Sequence, residues 1–256
     1  MPSNTIHYAI LGDGRLARHM RHYLELLGQA CSGWSRNAAS PFNSHHEPDA
    51  ATRLRHTIAP ASHVLLLVAD DALGPLLRQY PVLHGRRLVH CAGALSLPGV
   101  AGVHPLMTFA EPLYSLEQYR RIPFLVEAGH DFGELFPALP NPHHVVAVED
   151  KALYHALCVM AGNFPQLLWQ QVAERFAGRL KVPATVLHPY LEQVLTNFIA
   201  QPGRALTGPL ARGDQRTVAR NLQALDGDPL QEIYRAFVGL HYELSAGKPA
   251  LREEAV

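Results

Sequence analysis

Apolar and polar positions along this chain follow two rhythms. In the first, short unbroken apolar runs alternate with amphipathic stretches. Residues 6–11 read as a buried strand and residues 18–27 as a helix. Residues 37–50 form a polar loop containing Pro41 and Pro48. Residues 62–69 are continuously apolar after Ser62 and His63, as in a central parallel strand covered on both faces. Residues 87–91 form the next strand, residues 102–109 follow, and residues 122–127 form another short strand. Pro137, Pro140 and Pro142 mark a connection, and after Glu149 the second rhythm is helical: 150–164, 165–178, 184–200, 217–225 and 229–246. Pro165 is expected to kink or divide the first of these helices, and Asp228-Pro229 to start the last. The pattern predicts an α/β protein: a doubly wound parallel sheet over residues 1–142, then an all-helical domain over residues 143–256.

The turn after the first strand sharpens that picture. Gly12-Asp13-Gly14-Arg15-Leu16-Ala17 fits G-x-G-x-x-A and stands between a strand and a helix, which is the Rossmann-type dinucleotide-binding arrangement. Gly12 permits the tight turn, Gly14 admits a pyrophosphate close to the backbone, and Ala17 lets the helix lie near the sheet. The N–H groups opening the helix, at Arg15 and Leu16, face the phosphates. About twenty residues on, an NAD site usually carries a carboxylate for the ribose 2′-OH. Here the run is Cys31-Ser32-Gly33-Trp34-Ser35-Arg36, with no carboxylate. Ser35 and Arg36 suit a 2′-phosphate, because guanidinium binds two phosphate oxygens at once. The expected cofactor is therefore NADP(H); the plainer alternative makes Arg36 an ordinary surface residue. Ligands in such sheets lie beyond the strands' carboxyl ends, so Val68, Ala69 and Asp70 should line the cleft, with Asp70 or Asp71 capping the next helix.

Composition narrows the partners. The chain has 22 basic and 22 acidic residues and a formal net charge of +0, which argues against a general nucleic-acid binder. Only 17% of residues are charged, so neutral surface or an interface must take up the rest. There is no apolar run of membrane-spanning length and no signal-like opening, so no membrane partner and a cytoplasmic location are expected. Cys31, Cys91 and Cys158 are few and scattered, as in a reducing compartment. The 16 histidines include His45-His46 and His143-His144 in polar or proline-flanked segments. None shows the neighbouring Cys, Asp or Glu spacing of a zinc site, so no metal is expected.

Three segments form a recognisable set: His90-Cys91-Ala92-Gly93-Ala94-Leu95, Gly102-Val103-His104-Pro105-Leu106-Met107-Thr108-Phe109, and 206–218, which reads Leu-Thr-Gly-Pro-Leu-Ala-Arg-Gly-Asp-Gln-Arg-Thr-Val. They resemble the Rossmann-like proteins carrying the domain of unknown function DUF2520, over essentially the whole chain. That family is similar in layout to ketopantoate reductases, pyrroline-5-carboxylate reductases and 6-phosphogluconate-type dehydrogenases. The resemblance implies a cofactor domain joined to a helical dimerising domain, a homodimer, and an NADPH-dependent reductase of a small 2-keto acid. Ketopantoate, in pantothenate biosynthesis, leads; another keto or cyclic imino acid, or a non-catalytic NADP-binding sensor, stands behind it. For the interface, Val186, Leu187, Leu191, Val194, Leu195 and Phe198 recur at helical spacing and suit either a core or a contact between copies.

Hydride transfer to a ketone needs a proton donor for the oxygen and partners for a carboxylate. Lys151 and His155 lie four apart on one helix and face the same way. Lys151 opens the helical region, where the resemblance implies a catalytic lysine. Related reductases often carry an asparagine one turn on; here His155 stands there and Asn163 follows, so either can orient the carbonyl. His104, fixed ahead of a proline, is the second proton donor. His90 ends a strand near the nicotinamide, with Gly93 allowing close approach. Thr207 and Arg212 suit a substrate carboxylate, and Asp214 suits the cap of the helix from Gln215. Each also has a structural role open to it: a solvated lysine, core or loop-fixing histidines, a helix–helix corner.

Overall fold

The computed structural model describes residues 6–246. A seven-stranded sheet runs in the order β2-β1-β3-β4-β5-β6-β7. Its strands are β1 (His7–Leu11), β2 (Ala30–Trp34), β3 (His63–Leu66), β4 (Arg87–His90), β5 (Ala101–Pro105), β6 (Phe124–Glu127) and β7 (His143–Val146). The first five are parallel; β6 pairs antiparallel with β5, and β7 runs parallel to β6. The chain passes from β1 outward to β2 and then back across β1 to β3. That reversal places a topological switch at the carboxyl ends of β1 and β3.

Alternation along the strands explains the unbroken apolar runs. Tyr8 and Ile10 enter one core with Leu65, Val89, Val103 and Phe124. Ala9 and Leu11 enter a second core with Val64, Leu66 and Leu88. Helix α1 (Arg15–Leu26) covers the first face through Ala17, Met20, Tyr23 and Leu24. Helices α2 (Ala50–Ile58) and α3 (Asp70–Gln79) cover the second through Leu54, Ile58, Leu73 and Leu76. Helices α4 (Leu116–Arg120) and α5 (Phe132–Leu135) return Tyr119, Phe132 and Leu135 to the first.

Several details differ from the sequence pattern. The apolar run at 62–69 is strand only over β3, because Leu67 to Ala69 leave the sheet to form the cleft wall. Ala69, not Asp70 or Asp71, precedes α3; both carboxylates sit in its first turn, where the helix dipole favours them. Helix α2 was not anticipated. His143 and His144 lie in β7 rather than a loop, and the His143 ring stacks on Phe132 at 4.5 Å. Pro165 does not divide the helix. α6 (Lys151–Cys158) passes through a π turn, Val159–Asn163, into α7 (Phe164–Gly178), and the widened turn takes up the register change ahead of the proline.

The chain forms two compact units, one ending at Trp169 and one beginning at Gln170. The second holds the rest of α7 with α8 (His188–Ala200), α9 (Gln215–Ala224) and α10 (Leu230–Ala246). Arg175 grips Asp228 through two bonds of 2.9 Å, and the same carboxylate accepts the N–H of Leu230, tying the start of α10 to α7. Asp214 caps α9 as expected, accepting from the N–H and hydroxyl of Thr217. Among the described residues, no helix is long and apolar enough to cross a membrane.

Candidate active site

Two groups of residues lie at the ends of the parallel strands, both within the first unit. The first surrounds an open cavity of about 550 Å³ at the switch point. Gly12, Asp13 and Gly14 line it, with Ser35, Arg36, Val68 and Ala69. Gly12 cannot be replaced: its φ is +121°, and a Cβ there would lie 2.2 Å from the carbonyl oxygen of Leu67. Gly14 faces open space, so nothing of the protein competes for the approach to its backbone. Of the other expected cofactor residues, Arg15 is exposed at the start of α1, Leu16 packs on the core, and Asp70 is exposed just past the cavity wall. Gly93 belongs to the second group.

Two sets of contacts that the sequence did not reveal change the chemistry of this cavity. The Ser35 hydroxyl donates to the Asp13 carboxylate at 2.8 Å, so a carboxylate does reach the end of β2, carried there by the glycine turn. Arg53, on α2, is buried beneath the loop. Its guanidinium donates to the carbonyls of Glu47, Pro48, Ser35 and Arg36 at 2.6–3.3 Å. The backbone that presents Arg36 is thus clamped from behind by a cation. An arginine on the buried face of an amphipathic helix was the available signal.

The second group gathers at the carboxyl ends of β4 and β6, along β5 at Gly102 and His104, and at the start of α6. Lys151 is not a solvated lysine: it is buried, and its Nζ donates to Glu127 Oε2 at 2.6 Å. The other Glu127 oxygen accepts from the Ser96 hydroxyl at 2.6 Å. Burial pushes the Glu127 carboxyl up, but the bonds from Lys151 and Ser96 outweigh it and hold it below the usual range. Gly102 makes room for the pair, since a Cβ there would lie 2.5 Å from Lys151 Nζ and 2.6 Å from Glu127 Oε2. His90 is fully buried, accepts the Ala92 N–H at Nδ1, and does not face the cleft. Burial, reinforced by the Lys151 charge, pushes it down to about 4.

His104 and His155 do come together, with ring centroids 5.9 Å apart; both lie against Gly93, whose missing side chain leaves them space. His104 Nδ1 is 2.7 Å from the Tyr154 hydroxyl. Burial, then the neighbouring His155 and Lys151, push His104 down to about 4, so it is neutral at neutral pH. Burial raises the Tyr154 hydroxyl, keeping it protonated. Tyr154 and Glu127 were missed in the sequence; Glu127, an acidic end to an apolar strand, was the legible clue. Asn163 is exposed at the end of the π turn, outside this group. Thr207 and Arg212 lie exposed in the second unit, on the loop leading to α9.

The fold defines a Rossmann-like protein. Residues 123–239 match the model of a family described as a domain of unknown function, DUF2520. The match covers β6 through most of α10, so the glycine turn and the segments around His90 and His104 lie outside it, narrower than the whole-chain resemblance expected. No curated protein matches in sequence. Among solved structures, a Bacteroides fragilis protein assigned as a candidate NADP oxidoreductase is 21% identical, with a TM-score of 0.72, over 94% of this chain and 99% of its own. A reductive aminase from Aspergillus terreus, in complex with NADPH and ethyl levulinate, is 17% identical, with a TM-score of 0.59, over 95% of each chain. Pyrroline carboxylate reductase from Plasmodium falciparum, with NADP bound, is 12% identical, with a TM-score of 0.54, over 94% of this chain and 98% of its own. At these identities the likeness establishes the fold.

Proposed function

We propose that this protein is an NADPH-dependent reductase of a small substrate carrying a C=O or C=N bond, with ketopantoate the first 2-keto acid to test. The observation that carries the reading is the switch-point cavity, whose floor tolerates no side chain at Gly12 and whose wall presents Ser35 and Arg36. These residues fit a dinucleotide: the Gly12–Gly14 turn and the start of α1 would hold the pyrophosphate, and Ser35 and Arg36 a 2′-phosphate. The cofactor supplies a hydride when bound. The structures named above as complexes with NADPH or NADP support this choice.

In this reading the chain's own residues handle the proton and the charge. His104 Nδ1 and the Tyr154 hydroxyl are 2.7 Å apart, and in the tautomer in which the hydroxyl donates, the neutral ring keeps a proton on Nε2 for the substrate oxygen or nitrogen. Lys151 contributes positive charge toward the oxygen that gains electron density. Its ammonium is engaged by Glu127, so it acts by field rather than by giving up a proton. His155 orients the substrate beside Gly93, and Thr207 and Arg212 are the candidates for a substrate carboxylate. The aminase and pyrroline carboxylate reductase likenesses favour a second reading, reduction of an imino acid by the same residues.

The protein is also proposed to act as a homodimer. From α6 onward Leu153, Phe164, Phe198, Ile199, Phe237 and Leu244 are exposed, large apolar side chains of the kind an interface between copies would cover.

The test is NADPH oxidation by the full chain against a panel of 2-keto and cyclic imino acids, ketopantoate first. Turnover with one class is expected. His104→Ala should lower kcat by about 10²–10⁴ while NADPH affinity is kept. NADPH binding with no oxidation across the panel would favour a non-catalytic NADP-binding protein.

A further inference from the structure

We propose a second site: His45, Glu47 and His56 bind a divalent transition-metal ion of the zinc class, fastening the cofactor-cleft loop to α2. One potential ligand atom from each of these residues lies within 4.8 Å of the other two. His56 Nδ1 sits 2.6 Å from Glu47 Oε1, and the His45 and His56 rings approach edge-to-face at 5.6 Å. The second oxygen of Glu47 is buried without a hydrogen-bond partner. Two imidazoles and a carboxylate are a common zinc set, with water in the open fourth position. Tetrahedral zinc with bonds of 2.0–2.2 Å holds its ligand atoms about 3.4 Å apart. The His56–Glu47 contact must therefore open and the wider separations close, by shifts of order 1 Å that side-chain rotation supplies.

The ligands are held in place by neighbours that are not ligands. Ser44, beside His45, exchanges hydrogen bonds with Gly33 of β2, through its own N–H and its hydroxyl, both at 2.9 Å. The carbonyl of Glu47 is gripped by Arg53 at 2.6 Å. Asp49 caps α2 through the Thr52 N–H, and His56 stands in the last turn of that helix. The ion would thus bridge the loop and the helix that together position Arg36. In sequence the set is masked: the third ligand is nine residues past the second and is brought back only by α2. Spacing along the chain therefore does not test for this set. The partial exposure of His56 and Glu47 leaves the fourth position open to solvent.

The test is titration of the full chain with Zn²⁺ alone, with Co²⁺ as a spectroscopic probe. The parent should bind one more equivalent than the His45→Ala/His56→Ala double variant. It should also show tetrahedral Co²⁺ bands in the visible that this variant lacks. Loss of one ligand should weaken the site by at least the 10–100-fold typical of outer-sphere partners, so His45→Ala, Glu47→Gln and His56→Ala should each do so. His46→Ala, at the exposed neighbouring histidine, should bind as the parent does. An unchanged stoichiometry in the double variant, or equal loss with His46→Ala, would overturn the site and leave only scattered histidine binding.

Discussion

In β1 and β3 every residue from Tyr8 to Leu11 and from His63 to Leu66 is buried, whereas in α8 Val194, Leu195, Phe198 and Ile199 are all exposed. Both stretches are apolar in sequence. The sheet satisfies its apolar residues within one chain, because helices cover both faces. Among the described residues of the second unit, only Val218 is buried among the large apolar side chains. The contrast shows that helical periodicity reports an apolar face without saying what covers it. The stripe from Val186 to Phe198, open in sequence to either a core or a contact between copies, leaves Val186, Val194, Leu195 and Phe198 outside the protein's own core.

The sheet region should be the more sensitive to loss of a polar partner. Glu127→Ala leaves the Lys151 ammonium buried without its carboxylate. Breaking a buried pair in this way costs about 3–5 kcal/mol, to be read from urea unfolding. A change below 1 kcal/mol would show that Lys151 swings out to solvent. The pH dependence has a definite sign. Glu127 is held below its ordinary range, so its contribution is present above the unfolded carboxylate pKa and is lost as pH falls through the lower folded value. Acid should therefore erase most of the difference between parent and variant.

The helical region should instead respond in assembly. Leu195→Asp and Phe198→Asp each place a charge on the exposed stripe. If that stripe meets a second copy, each should weaken association by about 2 kcal/mol or more, as for residues central to an interface. The stability of the isolated chain should barely change. Sedimentation across a concentration series measures this, and a parent that stays monomeric at micromolar concentration would break the comparison.

Legibility followed the same division. The glycine turn could be read because its strand, turn and helix are contiguous in sequence, even though the backbone that crowds Gly12 is that of Leu67, just beyond β3. The Lys151 group was only half legible. Its members come from β4, β5, β6 and α6, and the glycines that admit them, Gly93 and Gly102, carry no mark of what fills their space. His90 and His104 looked alike as strand-end histidines. The structure separates them by partner: the Ala92 N–H inside the core for one, the Tyr154 hydroxyl for the other. Strand β7 was hidden by its histidines and flanking prolines, and α2 by the polar loop before it.

The smallest predicted effect concerns cofactor choice, where two opposed charges share one wall. Arg36 is exposed at the cavity and free to meet a 2′-phosphate, while Asp13 holds the Ser35 hydroxyl and would repel one. If Arg36 decides the outcome, NADPH binds more tightly than NADH. Arg36→Ala should then narrow the gap by about 1–3 kcal/mol, the scale of a charge-assisted hydrogen bond. Asp13→Asn should act in the opposite sense and more weakly. The amide still accepts from Ser35 but no longer opposes the phosphate, so NADPH affinity should rise while NADH affinity holds or falls. Fluorescence titration of both cofactors against the three proteins reads the pair of effects directly. Equal affinity of the parent for NADPH and NADH would overturn the assignment of Ser35 and Arg36 to a 2′-phosphate.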